Sequence, residues 1–209
     1  MSQIALPFAH ATHFHEDMFV VSECNKQAYD WVKRWPDWNS HATIIYGATG
    51  CGKSHLGHIW SKQSDAITDA VDAENLANNA LVENIEQHDE TALFHLLNAA
   101  KENGFFLLLT ASCSPKQLPY DLPDLTSRVL ALPAIAINPP DDEVLIGAMR
   151  KQFSDRQLKV DDEVIAYLLP RMERSFSAIA QAVETLDKQA LSEQRAVTIP
   201  FARKILQHQ

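Results

Sequence analysis

Early in the chain stand eight consecutive residues of the types that phosphate binding requires. Gly47, Ala48, Thr49, Gly50, Cys51, Gly52, Lys53 and Ser54 match GxxxxGK[ST] at every fixed position. Glycines let a loop turn its amides toward phosphate oxygens, the lysine reaches the β and γ phosphates, and the hydroxyl that follows ligates Mg²⁺. An apolar, β-branched run at 42–46 precedes the loop and a helical pattern at 53–62 follows it, which is the strand–loop–helix setting this chemistry needs. A glycine-rich turn that binds nothing is the plain alternative, and the complete motif in its setting weighs against it. His55, next on the helix, adjoins the bound nucleotide in this reading; with His58 it reads as packing or surface rather than as a catalyst.

A phosphate loop that works as an enzyme also needs an acidic group at the end of a neighbouring strand, and a base beside it. The run at 80–82 ends in Glu83 and Asn84. Glu83 is the candidate that holds Mg²⁺ with Ser54. Asn84 accepts no proton, so nucleotide, ADP or ATP, is expected to bind better than it is hydrolysed; Glu86, Asp89 and Glu90 are the substitutes for a base, each equally readable as solvated surface.

These groups have to be positioned by regular elements. A helix at 25–35 places Ala28, Trp31, Val32 and Trp35 on one face and stops at Pro36. Strands are predicted at 42–46, 66–73, 80–85, 105–110 and 130–137, and a helix at 90–103 ends at Gly104. Apolar strands alternating with helices predict an α/β fold: a parallel five-stranded sheet with helices on both faces. After Asn138-Pro139-Pro140 the pattern turns helical, at 141–153, 161–171, 175–191 and 198–206, with Asp141 and Asp161 as N-caps. The expected organisation is a tail at 1–13, a nucleotide-binding domain at 14–138 and a small all-helical domain at 139–209.

Composition narrows the setting. The 209 residues, 46% hydrophobic, suffice for one core plus a small module. Cys24, Cys51 and Cys113 stand far apart with no CxxC pair, which argues against a disulfide framework or structural zinc and for a reducing cytosol. No run of about 18 apolar residues or leader pattern occurs, so membrane insertion and export are not expected. The formal charge of −9 disfavours direct binding to DNA.

Several segments in order resemble the DnaA branch of the AAA+ family, from about Phe14 to the C-terminus, and within it the Hda-like regulators that inactivate the initiator. They are 14–21 with Phe19, Val20 and Val21, then Asn25; the loop at 47–54; 107–112 with Ser112; 122–128 ending in Arg128; and 198–201. The resemblance implies that Phe19, Val20 and Val21 pack by the adenine ring, that Ser112 is the sensor-1 polar residue, and that residues 139–209 are the lid. It makes Arg128 an arginine finger, a guanidinium offered across an interface to a neighbour's γ-phosphate; without it, an arginine between apolar strands reads as a surface or salt-bridging residue. Where the family places the sensor-2 arginine this chain has Ser177, with Arg174 one turn earlier, so a resting diphosphate state is expected. The compact 54–80 segment and the ending after the lid point to a regulator and not an initiator.

The segment Gln3, Ile4, Ala5, Leu6, Pro7 and Phe8 resembles the peptide with which replication proteins dock on the bacterial sliding clamp. An extended segment can bury Leu6 and Phe8 while Gln3 makes directed hydrogen bonds. The implied partners are therefore the clamp and DnaA, with DNA reached only through the clamp; monomer and homodimer stay open, as does an autonomous helicase-loader or clamp-loader-like ATPase. His10, His13 and His15 with Glu16 lack the companions of a metal site, and Trp31, Trp35 and Trp38 read as core before base pocket.

Overall fold

The computed structural model describes residues 16, 19–68, 73–74 and 76–206. They fall in two compact units, one within Phe14–Pro139 and one within Pro140–Gln209. The clamp-type peptide with Gln3, Ile4, Leu6, Pro7 and Phe8 lies outside the described residues, as do His10, His13 and His15.

The first unit runs α1 (Lys26–Lys33), β1 (Ala42–Tyr46), α2 (Lys53–Ser64), β2 (Ile67–Thr68), β3 (Ala80–Val82), α3 (Glu90–Asn103), β4 (Leu107–Ala111), α4 (Pro123–Ala131) and β5 (Ala134–Ala136), with short 3₁₀ turns at Ile85–Gln87 and Pro115–Gln117. All pairings are parallel, in the spatial order β2-β3-β4-β1-β5. Because side chains alternate along a strand, each central strand feeds two cores. Ile44, Val82, Leu107 and Leu109 pack with Leu93, Leu96, Leu125 and Val129 of α3 and α4. Ile45, Leu81 and Leu108 pack on the other face with Ala28, Val32, Leu56 and Trp60 of α1 and α2. The sheet is thus covered on both faces, as a parallel sheet must be.

Three predicted elements differ. The strand expected at 130–137 is shorter, and α4 occupies the residues before it. Its apolar residues looked like a strand, yet Leu125 and Val129, one helical turn apart, both face the core, and Pro123 with Asp124 suits a first turn. Arg128 therefore stands on a helix and not between strands. The strand expected at 80–85 ends at Val82, because Asn84 takes a left-handed conformation (φ 51°) that turns the chain into the 3₁₀ turn. The strand expected at 66–73 pairs only at Ile67 and Thr68; residues 69–72 lie outside the described set.

The second unit holds α5 (Asp142–Asp155), α6 (Asp162–Leu168), α7 (Phe176–Glu193) and α8 (Ile199–Leu206). Asp141 caps α5 by accepting from the Val144 amide, and Ser175 caps α7 through the Ala178 amide. The Asp161 side chain, expected as a cap, makes no such bond. Beyond α6 the chain tightens into a 3₁₀ turn at Leu169–Arg171, where Pro170 has no amide to continue an α-helix. Leu145, Met149, Phe153, Leu168, Ile179, Val183 and Leu186 form the interior of this unit. Among the described residues no helix is long and apolar enough to cross a membrane.

Candidate functional site

The C-terminal ends of the parallel strands gather the chemistry, as open α/β sheets do. Gly47 leaves β1 with its amide on the Ala111 carbonyl (3.2 Å). A Cβ at Gly47 would stand 2.5 Å from the Ile137 carbonyl oxygen and 3.0 Å from Cys51 Sγ, so only glycine fits. Gly50 and Gly52 hold φ of 74° and 107°, conformations that L side chains rarely adopt. Gly52 precedes α2, whose first amides lack intrahelical acceptors and face the loop end. Lys53 is only 7% exposed, and its ammonium donates to the Gly47 and Ala48 carbonyls at 2.7 and 3.0 Å. The cation is thus stored within the loop's own concavity. Cys51 is buried, and burial pushes its thiol up against the opposing pull of Lys53, which keeps it protonated.

Phe19 is brought to this loop. Its ring lies 3.4 Å from the position of a Gly52 Cβ, meets His55 edge-on (centroids 5.2 Å) and stacks on Tyr29 (5.7 Å). Asn25, 1% exposed, fixes the segment: its Nδ2 donates to the Val20 carbonyl and its Oδ1 accepts from the Ser22 amide. The Asn138 amide then ties Cys24 to the end of β5. Val21 is exposed. Tyr29 was missed from sequence because it lies off the apolar stripe of α1; its only signal was an aromatic one step from that stripe. The tryptophans belong to the core beneath: Trp38 stacks on Trp60 and Trp31, and Trp35 meets Phe106 edge-on.

Beside the loop, the Asn84 amide donates to Thr110 Oγ1 (3.0 Å), joining the ends of β3 and β4. Ser112 is exposed, and its amide donates to Glu86 Oε1 at 3.0 Å. Of the substitute bases, Asp89 caps α3 through the Ala92 amide and Glu90 accepts from the Asp121 and Leu122 amides, so both carboxylates are engaged. Glu83 Oε1 and Glu86 Oε2 are buried with no protein partner. Among the described residues no three His, Cys, Asp or Glu side chains converge to hold a metal by themselves. The donors present would suit a magnesium nucleotide: a glycine loop closed to a Cβ at Gly47, the Lys53 ammonium, the Ser54 hydroxyl and an orphaned Glu83 oxygen, of which Ser54 and Glu83 would hold the metal.

Arg128 is exposed on α4, on the sheet face opposite α2, with its guanidinium 4.6 Å from the centre of the Phe94 ring. In the second unit Ser177 Oγ lies 3.1 Å from Ser175 Oγ, and Arg174 pairs with Asp142 at 2.7 Å.

Residues 141–206 match the model of the Hda lid domain. An uncharacterized protein of Haemophilus influenzae is 32% identical, across 78% of this chain and 80% of that protein. The chain belongs to the DnaA-related, Hda-like branch of the AAA+ proteins. Solved AAA+ structures share the fold. Domain III of the Thermotoga maritima replication initiation protein DnaA superposes with a TM-score of 0.77 at 19% identity, covering 93% of this chain and 96% of that one. AMPPCP-bound DnaA from Aquifex aeolicus gives 0.67 at 20% identity, covering 83% and 63%. The Thermotoga maritima RuvB branch migration motor gives 0.71 at 15%, covering 92% and 70%. The five-stranded sheet is therefore an AAA+ sheet, and the helical C-terminal region is lid-like.

Proposed function

We propose that this Hda-like chain is a negative regulator of replication initiation. Tethered to the DNA-loaded sliding clamp through Gln3, Ile4, Leu6, Pro7 and Phe8, it presents Arg128 to ATP held by DnaA, and hydrolysis of that ATP turns the initiator off. The observation that carries the reading is the placement of Arg128. It is exposed on the sheet face away from α2 and its phosphate loop, and among the described residues it rests on an aromatic ring and not on a carboxylate. A guanidinium so placed suits a neighbour's γ-phosphate better than its own.

The chain itself holds a nucleotide, ADP in its resting form, with Mg²⁺ on Ser54 and Glu83. Support comes from the glycine cradle and from the fold shared with a DnaA whose structure contains AMPPCP. Asn84 offers no base, Asp89 and Glu90 are engaged in structural bonds, and Ser177 brings no charge. Phe19, Val20 and Val21 frame the base, Gly47 to His55 the phosphates, and Ser112 the end of β4. Such a protein works in the cytoplasm and meets DNA through the clamp.

One observation favours a second reading, an autonomous ATPase of the helicase-loader or clamp-loader type: Glu83 and Glu86 each keep a buried oxygen without a protein partner, as a metal-and-water site would need. ATP turnover by the isolated chain, lost in Lys53→Ala, would establish it. The deciding experiment is hydrolysis of DnaA-bound ATP with DNA-loaded clamp. The chain should accelerate it, Arg128→Ala should lower the acceleration by about 10³-fold, the loss typical of a missing finger, and Gln3→Ala/Leu6→Ala should lose clamp dependence. No acceleration by folded, clamp-bound protein would remove this function.

A further inference from the structure

We infer that Glu90 is a positioning residue for Arg128, acting through the entry to α4; the inference rests on the trans role proposed for Arg128. Leu122, the residue before the first turn of α4, has no side chain able to cap it, and Pro123 has no amide. The hold on this entry comes instead from α3, at the two amides just before the first turn. Glu90 uses one carboxylate oxygen for each of two consecutive amides, accepting from Asp121 at 3.1 Å and from Leu122 at 2.7 Å. Two bonds to adjacent amides set the direction in which the chain enters the helix as well as its position. Its charge also faces the positive end of the α4 dipole.

A second tie holds the same segment. The Tyr120 hydroxyl donates to the Ile85 carbonyl at 2.9 Å, and Ile85 opens the 3₁₀ turn that follows Glu83 and Asn84. Burial, and secondarily Glu86 and Glu90, raise the Tyr120 phenol well above its ordinary range, so it remains a donor throughout neutral pH. The entry to α4 is therefore fixed twice, to the 3₁₀ turn after β3 through Tyr120 and to the first residue of α3 through Glu90. From Leu122 to Arg128 a helix rises roughly 9 Å, and a tilt of about 10° would move its axis at Arg128 by roughly 1.6 Å. Displacements of about 1 Å in a catalytic group cost on the order of 100-fold in rate. Glu90 touches no reacting atom here; it acts by holding the helix on which Arg128 is carried.

The test is a double-mutant cycle in the DnaA-bound ATP assay, using full-length wild type, Glu90→Gln, Arg128→Ala and the double variant, with folding verified by thermal unfolding and by each variant's own nucleotide affinity. Glutamine keeps the shape but turns one acceptor into a donor facing an amide. Glu90→Gln should lower the maximal rate about tenfold, while the concentration for half-maximal stimulation and the chain's own nucleotide affinity stay unchanged. In the Arg128→Ala background it should cost nothing further. Tyr120→Phe, which removes only a hydroxyl, should lose several-fold on the same pattern. Wild-type rates in Glu90→Gln, or an equal fractional loss with and without Arg128, would overturn the positioning role while leaving the proposed function standing. A wild-type rate in Arg128→Ala would overturn both.

Discussion

Gly47→Ala is the sharpest perturbation of the phosphate loop. The added Cβ would meet the Ile137 carbonyl oxygen at 2.5 Å, whereas an ordinary carbon–oxygen contact is about 3.3–3.6 Å. About 1 Å must therefore be found. The Ile137 carbonyl cannot readily give way, because the amide of the same residue is bonded to the Tyr46 carbonyl at 2.8 Å. Gly47 must then move, which strains the hydrogen bond its N–H donates to the Ala111 carbonyl and shifts a carbonyl that holds Lys53. Overpacking of this kind costs about 1–3 kcal/mol, and a shift of about 1 Å in the cradle should weaken nucleotide binding by about 10- to 100-fold. Two other glycines serve as controls. Gly104, with φ of 74° and nothing within 4 Å of a Cβ, should lose about 1 kcal/mol as alanine through backbone strain alone. Gly147, on an open face of α5, should gain about 1 kcal/mol. Neither should alter nucleotide affinity. Titration with a fluorescent ADP analogue, paired with thermal unfolding, reads both quantities. If Gly47→Ala binds like wild type with an unchanged melting temperature, the steric argument for this loop is wrong.

Further outcomes follow from the same region. Asn25→Ala removes the amide that joins Val20 to Ser22 and should destabilise the chain by about 1–3 kcal/mol, with adenine-nucleotide affinity falling as Phe19 loosens; equal affinity in a folded variant would show that this segment does not frame the base. Since burial raises the Cys51 thiol, the folded chain keeps a proton that the unfolded chain releases above about pH 8.5. The stability this site contributes is complete below that pH and declines as pH rises through it, so Cys51→Ala should flatten the alkaline fall seen in urea unfolding, and parallel pH profiles for the two proteins would count against the assignment.

The nucleotide-binding character of this chain could be read locally. Phosphate binding by a glycine loop depends on short-range backbone freedom and on one lysine and one hydroxyl at fixed spacing, so Gly47 to Ser54 and the strand before them were legible as written. The same holds for the two faces of the sheet, since alternation along β1, β3 and β4 is printed in the order of residues, and for the Asp141 and Ser175 helix starts. What the sequence could not decide depended on contacts between distant segments. Leu130 to Ile137 reads as one apolar run, and only the packing of Leu125 and Val129 against the core divides it into a helix and a short strand. Asp89 and Glu90 look like free carboxylates until their amide partners fold against them. Tyr29 becomes a neighbour of Phe19 only when the segment before α1 folds back against that helix. Sequence spacing determines which groups share a turn or a strand face; which carboxylate is engaged and which arginine stays exposed depends on long-range packing, and so on tertiary structure.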